Sequence, residues 1–243
     1  MTSFDWPDLA WRLGAALHLQ SPPIAIAFGA TKPTSIPSFD EPMSEPAEDG
    51  RRGRVPASCV FWVKAAERAF VTDPEDHGNC SVGRLTHGLA TMGEVAHNDD
   101  MKTVLDAQWV GSDDIAELPT VSTRPEAITY GPLAAFPEGV PPDVVLVRVN
   151  GRQMMVISDA VPDLSISGKP QCQIVAIAKE QRRAAASVGC ALSRARTGMS
   201  PDEMTCAFPA DSLSQIVESI EQASATDNEV ARYAARDARR FAS

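Results

Sequence analysis

No run of about 18 apolar residues occurs in the 243-residue chain, so no segment is suited to cross a membrane as a helix. Basic residues are in the minority, 22 Lys and Arg against 32 Asp and Glu. The resulting charge of −10 withholds the positive face that nucleic acid phosphates demand. The opening Met-Thr-Ser-Phe-Asp-Trp lacks the basic start and apolar stretch of a secretory signal. These absences set the expectation of a cytoplasmic protein with neither membrane nor nucleic-acid partners. No G-x-G-x-x-G and no Walker loop is present, which leaves nucleotide binding without support. Neither G-x-S-x-G nor H-E-x-x-H occurs, which disfavours the usual serine-hydrolase and zinc-protease routes.

Cysteine is scarce but patterned. Four of the five cysteines form two pairs, Cys59 with Cys80 (C-x20-C) and Cys172 with Cys190 (C-x17-C). The trailing member of each opens the same pattern, C-x3-R-x3-G followed by Leu or Met. It reads Cys80, Arg84, Gly88, Leu89 in the first copy and Cys190, Arg194, Gly198, Met199 in the second. In a reducing compartment such thiols more often bind metal or do redox chemistry than form structural disulfides. Four thiols gathered about a pseudo-twofold axis would make a metal or iron–sulfur site.

The expected fold is α/β, or α+β, as one globular domain over residues 1–243. Two pseudo-repeated strand–helix–strand–helix halves are expected, at about 20–110 and 128–208, followed by C-terminal helices over 211–243. Trp6, Leu9, Leu13 and Leu17 at helical spacing predict a first helix, and Ile24–Phe28 a buried strand. Residues 31–56 are rich in Pro, Ser, Asp and Glu without periodicity, which predicts a loop, lid or wrapping arm. Val144–Val149 is the strongest strand, and the Asn150-Gly151 turn predicts a hairpin to Met154–Ser158. Ser200-Pro-Asp-Glu203 reads as a capping box that opens a helix. Leu213–Ile220 and 226–241 read as two further helices. Each paired cysteine falls at a helix start, where unpaired N–H groups and the dipole are expected to lower its pKa.

Several of these segments together resemble the domain-of-unknown-function-169 family. They are Tyr130-Gly-Pro-Leu133, Pro142–Val147, Gln153-Met154-Met155, Cys172 and Gly189-Cys190-x2-Ser193-Arg194. Pro23–Phe28, Cys59 and Cys80 fit its N-terminal half, and the resemblance runs from about Leu9 to about Pro209. It implies no reaction. It implies an iron–sulfur or other thiolate-bound centre on Cys59, Cys80, Cys172 and Cys190, and leaves Cys206 unmatched.

A [4Fe–4S] cluster takes four thiolates, or three with one iron open, and is the leading expectation. Zinc is the alternative, although its sites usually include a pair of cysteines two to four residues apart, which is missing here. Arg84 and Arg194, one helical turn after a cysteine, are expected beside the centre to grip an anionic substrate or screen charge. His77, three residues before Cys80, is expected to replace a ligand or move protons. The expected function is a cluster-dependent enzyme, a lyase or oxidoreductase, acting on a small substrate, or an electron-transfer centre. A non-catalytic ligand- or zinc-binding module, with the two-fold core as a homodimer interface, and a metal-free thiol-redox protein are the alternatives. Met154 and Met155 are expected in the core, with a lining of the cluster pocket as the sharper reading.

Overall fold

The computed structural model describes residues 4–41 and 57–241. Helix α1 (Trp6–Leu17) is followed by β1 (Ile24–Gly29), α2 (Cys59–Lys64), β2 (Phe70–Thr72) and α3 (Ser81–Thr86). Three short helices come next, α4 (Met92–Val95), α5 (Asp99–Asp106) and α6 (Ser112–Ala116), before β3 (Ala127–Pro132). The chain continues through β4 (Val144–Val149), α7 (Gly151–Ala160), β5 (Ser165–Ser167), α8 (Gln173–Glu180) and β6 (Ala185–Ser187). It ends with α9 (Ala191–Thr197), β7 (Met204–Pro209) and the long α10 (Leu213–Ala238). Among the described residues, no helix is both long and apolar enough to cross a membrane.

The seven strands form one mixed sheet in the order β2-β3-β1-β4-β7-β6-β5, antiparallel except for the β5–β6 pair. Helices cover both faces, and the period-two alternation of the strands divides the apolar residues between them. Ile24, Ile26, Val144 and Leu146 point to one face, with Phe61, Leu85, Leu89 and Ile174. Ala25, Ala27, Val145 and Val147 point to the other, with Leu13, Ile157, Val217 and Ile220 from α1, α7 and α10. Burying an Ile or Leu side chain of this kind contributes roughly 1.5–3 kcal/mol. The two cores hold the sheet between helical layers, and the first of them carries α2, α3 and α8.

β1 and β4 lie side by side at the middle of the sheet. Ile24 opens β1 opposite Pro132, which closes β3, and Val144 opens β4 opposite Pro209, which closes β7. A short 3-10 turn follows each proline, Leu133–Ala135 and Ala210–Ser212. Proline suits both places, since it has no N–H to donate to a continuing ladder.

Three expected elements differ. Met154–Ser158 is not the second strand of a hairpin: it lies in α7. Asn150 accepts from the Gln153 N–H at 3.0 Å while Gln153 Oε1 takes the Asn150 N–H at 2.7 Å, a reciprocal cap that starts a helix where a tight turn was expected. Ser200–Glu203 does not open a helix either; it leads straight into β7. Arg148 binds the Glu203 carboxylate through both Nε and Nη2, which leaves Glu203 only a 3.4 Å contact with the Ser200 N–H. The two expected terminal helices are the continuous α10. Of the expected Pro-rich arm, residues 42–56 lie outside the described residues. Its earlier part bridges Ser38 to Val71 and buries Phe39 against Phe61 and Phe70.

Candidate functional site

All four paired cysteines line one cavity. They come from four separate helix starts: Cys59 is the first residue of α2, and Cys80, Cys172 and Cys190 immediately precede α3, α8 and α9. The cavity measures about 30 Å³, room for roughly one or two waters. Cys206 is fully buried in β7 on the opposite sheet face, beside Phe208. Its neighbour Ala207 faces the cysteine side, so strand alternation alone separates this thiol from the rest.

Local chemistry brings each thiol to its place. Cys80 and Cys190 act as N-caps, their sulfurs accepting from the Gly83 and Ser193 backbone N–H groups. Ser81, next to Cys80, is fixed by the Asp100 carboxylate, which accepts from its N–H at 2.8 Å and from its hydroxyl at 2.7 Å. Ahead of Cys190, Gly189 takes φ 98°, a left-handed turn that glycine makes without strain. Ser187 accepts from the Gly189 N–H and donates to the Gly168 carbonyl, tying this turn to the segment that delivers Cys172.

Residues beside the cysteines complete the wall: Ser58, Trp109, Gln171, Ser193 and Arg196. Ser58 is buried, and Gly83 sits so close that a Cβ there would lie 2.6 Å from its Oγ and 3.1 Å from the Cys80 sulfur. Lys169 stands over the Trp109 ring at 4.5 Å.

At Cys59, Cys80 and Cys172 the helix start does not lower the thiol pKa as expected. Burial pushes the Cys59 thiol up to about 12, reinforced by the neighbouring thiols of Cys80 and Cys190 and opposed by the Ser193 hydroxyl. Burial also raises Cys80, against the pull of the Gly83 N–H, and raises Cys172 well above an ordinary thiol. Desolvation of the charged form outweighs the cap hydrogen bonds, because the sulfurs are enclosed even where the residues keep some exposed surface. Arg196 favours the thiolates of both Cys59 and Cys80.

Arg84, Arg194 and His77 do not line the cavity. Arg194 is held by backbone carbonyls instead, those of Val188 at 2.7 Å, Glu203 at 3.0 Å and Ser200. It clamps the turn before Cys190 to the start of β7. Arg84 lies near His77, where its charge helps keep that ring neutral.

His77 is buried one layer behind. Its Nδ1 lies 2.9 Å from Ser58 Oγ and its Nε2 lies 3.0 Å from Thr72 Oγ1. Thr72 spends its hydroxyl proton on the Ile128 carbonyl, so Nε2–H donates to Thr72 and Ser58 donates to Nδ1. Burial holds the ring well below the usual histidine pKa, which fixes it as neutral. Ser58 links its ring to the cavity, and the His77 carbonyl accepts the Cys80 N–H at 3.3 Å. Met154 packs in the opposite core and Met155 is exposed, so neither lines the cysteine pocket.

Sequence reasoning missed Ser58, Gln171, Ser193 and Arg196. Ser58 and Gln171 each directly precede a cysteine, which was the available signal. Arg196 was hidden by the repeated C-x3-R spacing, which drew attention to Arg194.

Residues 12–219 match the sequence model of the family DUF169, described as "Uncharacterised ArCR". The chain belongs to that family. The match takes in all four cavity cysteines and every wall residue named above, and stops inside α10. No curated protein and no solved structure matches the chain.

Proposed function

We propose that the protein binds an iron–sulfur cluster on Cys59, Cys80, Cys172 and Cys190. The observation that carries this reading is the convergence of four thiols, over 100 residues apart at the extremes, on one cavity. The donor set fits: four sulfurs and a cationic Arg196 suit a thiolate-bound, electron-rich group. The raised pKa values support it from the other side. Several buried thiolates repel one another, so the thiols stay protonated until a cation or cluster compensates their charge.

A cluster suits the arrangement better than one zinc ion. Zinc needs its sulfurs about 2.3 Å from a single point. Among the described residues, no three His, Cys, Asp or Glu side chains form a group that could hold one ion. A cluster distributes its irons and takes thiolates that stand further apart. Metal-free thiol redox chemistry has less support, because it needs a depressed thiol pKa.

The strand order adds to the reading. It places β1, β3 and β2 outward from the centre on one side and β4, β7 and β6 outward on the other. A duplicated unit would produce this order, and it would set one cysteine pair against the other across the sheet centre. When bound, a cluster would supply electron transfer or, with one iron open, a Lewis acid. The chain's own residues would enclose it, screen its charge with Arg196 and exclude bulk water with Trp109.

The cavity is smaller than a cluster, so loading has to spread the four helix starts. Anaerobic purification followed by iron and sulfide analysis tests the proposal. A brown protein with a broad band near ~400 nm and stoichiometric iron and sulfide is expected. Single Cys→Ala changes at the four positions that all leave iron content intact would sink it.

A further inference from the structure

The second half of α10 covers no core. Its last buried residue is Ser224, yet the helix runs unbroken to Ala238, so residues 225–238 extend about 21 Å without a buried side chain. Helices in proteins draw most of their stability from packing an amphipathic face, which makes a bare stretch of this length unusual. It has such a face. Val230 and Tyr233, one turn apart, are 60% and 61% exposed, and Phe241 just past the helix end is 75% exposed. From Val230 to Phe241 the chain carries four arginines and one aspartate, in a protein whose net charge is −10.

The first half of α10 offers the complement. Together with the end of α7 it walls an open groove of about 700 Å³. Ser219, Ala223 and Thr226 line it, small side chains on the same helix face as Val230 and Tyr233. Among the described residues α10 forms three ion pairs, Glu221 with Arg12, Asp227 with Arg152 and Asp237 with Arg240. The exposed Asp159 and Glu218 of the groove are left unpaired, and so are Arg232 and Arg236 of the bare half. The groove is hollow and acidic; the bare half is bulky and basic.

Two halves of one unbroken helix cannot fill each other within a molecule. Between two molecules they can. The charge of −10 also turns anionic membranes and nucleic acids away from the arginines. We propose that two copies of the chain associate through α10, antiparallel about a two-fold axis at Thr226. Antiparallel pairing about that point sets Val230 of one copy over Ala223 of the other, and Tyr233 over Ser219. Glu218 and Arg236 are separated by five full turns and share one flank of the helix. The same pairing therefore brings Arg236 of one copy beside Glu218 of the other. Each contact occurs twice, as a two-fold interface requires.

Sedimentation equilibrium of the full chain at micromolar concentration reads the association. A dimer is expected, weakening as salt screens the Arg236–Glu218 pairs. Tyr233→Ala and Val230→Asp are each expected to weaken it about tenfold or more. Arg236→Glu and Glu218→Arg should each do the same, and the double variant should recover most of the loss. All four positions are exposed, so melting curves followed by circular dichroism should match the parent.

A parent that stays monomeric overturns the proposal. So does a dimer that none of the single changes weakens, which places the interface elsewhere. A double variant no better than either single reversal overturns the antiparallel pairing and the proposal with it. Flotation with phosphatidylserine vesicles supplies the last arm: a monomer that floats with them assigns the bare half to a membrane surface instead.

Discussion

Cys80 and Cys190 stand 110 positions apart in the sequence, yet each turns its thiol onto the backbone N–H three residues ahead, at 3.3 Å in both cases. Each is therefore a helix cap and a wall of the cavity at once. Serine makes the same cap, and often a better one. Cys80→Ser and Cys190→Ser are expected to leave thermal stability within about 1 kcal/mol of the parent while iron per chain falls sharply. Melting curves beside iron analysis read the two roles separately. Cys206→Ser should do the reverse: iron stays, and stability drops by about 1–3 kcal/mol as a hydroxyl enters an apolar core.

Gly83 carries a packing prediction. A methyl group there would lie 2.6 Å from Ser58 Oγ and 3.1 Å from the Cys80 sulfur, so both would have to shift. Gly83→Ala is expected to cost about 1–3 kcal/mol and to lower metal retention, because the overpacked atoms are those of the site. Denaturant midpoints and iron content measured together decide it. Wild-type values in both would contradict the tight approach.

Arg194 and Arg196, two residues apart on α9, should separate cleanly. Arg194→Ala removes the donors of three backbone carbonyls and is expected to destabilise by about 1–3 kcal/mol. Its folded fraction should still retain iron like the parent. Arg196→Gln should show the opposite, a normal melting temperature with lowered iron content, because its charge favours the Cys59 and Cys80 thiolates. If both variants lose only stability, Arg196 has no role at the cysteine site.

His87 predicts how stability depends on pH. Its Nδ1–H donates to the Gly83 carbonyl at 2.9 Å, and burial holds its pKa down to about 4. The unfolded chain binds this proton near pH 6.5 and the folded chain only near 4, so the unfolded state gains protons first as pH falls. Stability is full above about pH 6.5 and is lost progressively towards pH 4, by up to about 3 kcal/mol from this group. His77, also held neutral by burial, acts in the same direction. His87→Asn keeps a donor at the Nδ1 position and should flatten part of the profile. An identical acid profile in that variant would remove His87 from the explanation.

The thiols give a prediction for protein stripped of metal. With Cys59 pushed up to about 12 and Cys172 held well above an ordinary thiol by burial, iodoacetamide at pH 8 should modify them roughly a hundredfold more slowly than a free cysteine. Mass spectrometry of labelled peptides gives the rates. Rapid modification of either residue would revive the thiol-redox alternative.

The elements legible in the sequence were those whose pattern survives folding. Leu9, Leu13 and Leu17 keep their helical stripe in α1, and Val144–Val149 is a buried strand as its composition demands. The failures share a cause, which is that a short signal permits two conformations and distant residues select one. Asn150-Gly151 suits a tight turn and also a helix start, and Gln153 decided for the helix. Gln153 in turn donates to the Leu17 and His18 carbonyls at the end of α1, contacts no local pattern reveals. Ser200–Glu203 has the form of a capping box, but Arg148 on the neighbouring strand took the glutamate. The repeated C-x3-R spacing singled out Arg194, and only the positions of Val188, Ser200 and Glu203 showed that it was already engaged.

By itself, the sequence determined which four cysteines belong together, that each opens a helix, that Cys206 stands apart, and that strands alternate with helices. Those are properties of spacing and local backbone preference. Tertiary structure decided the rest: that the four helix starts meet at one cavity, that burial raises thiol pKa values which helix ends would lower, and that Gln171, Ser193 and Arg196 stand in its wall. Burial and convergence are sums over residues far apart in the chain, and no local window of sequence contains them.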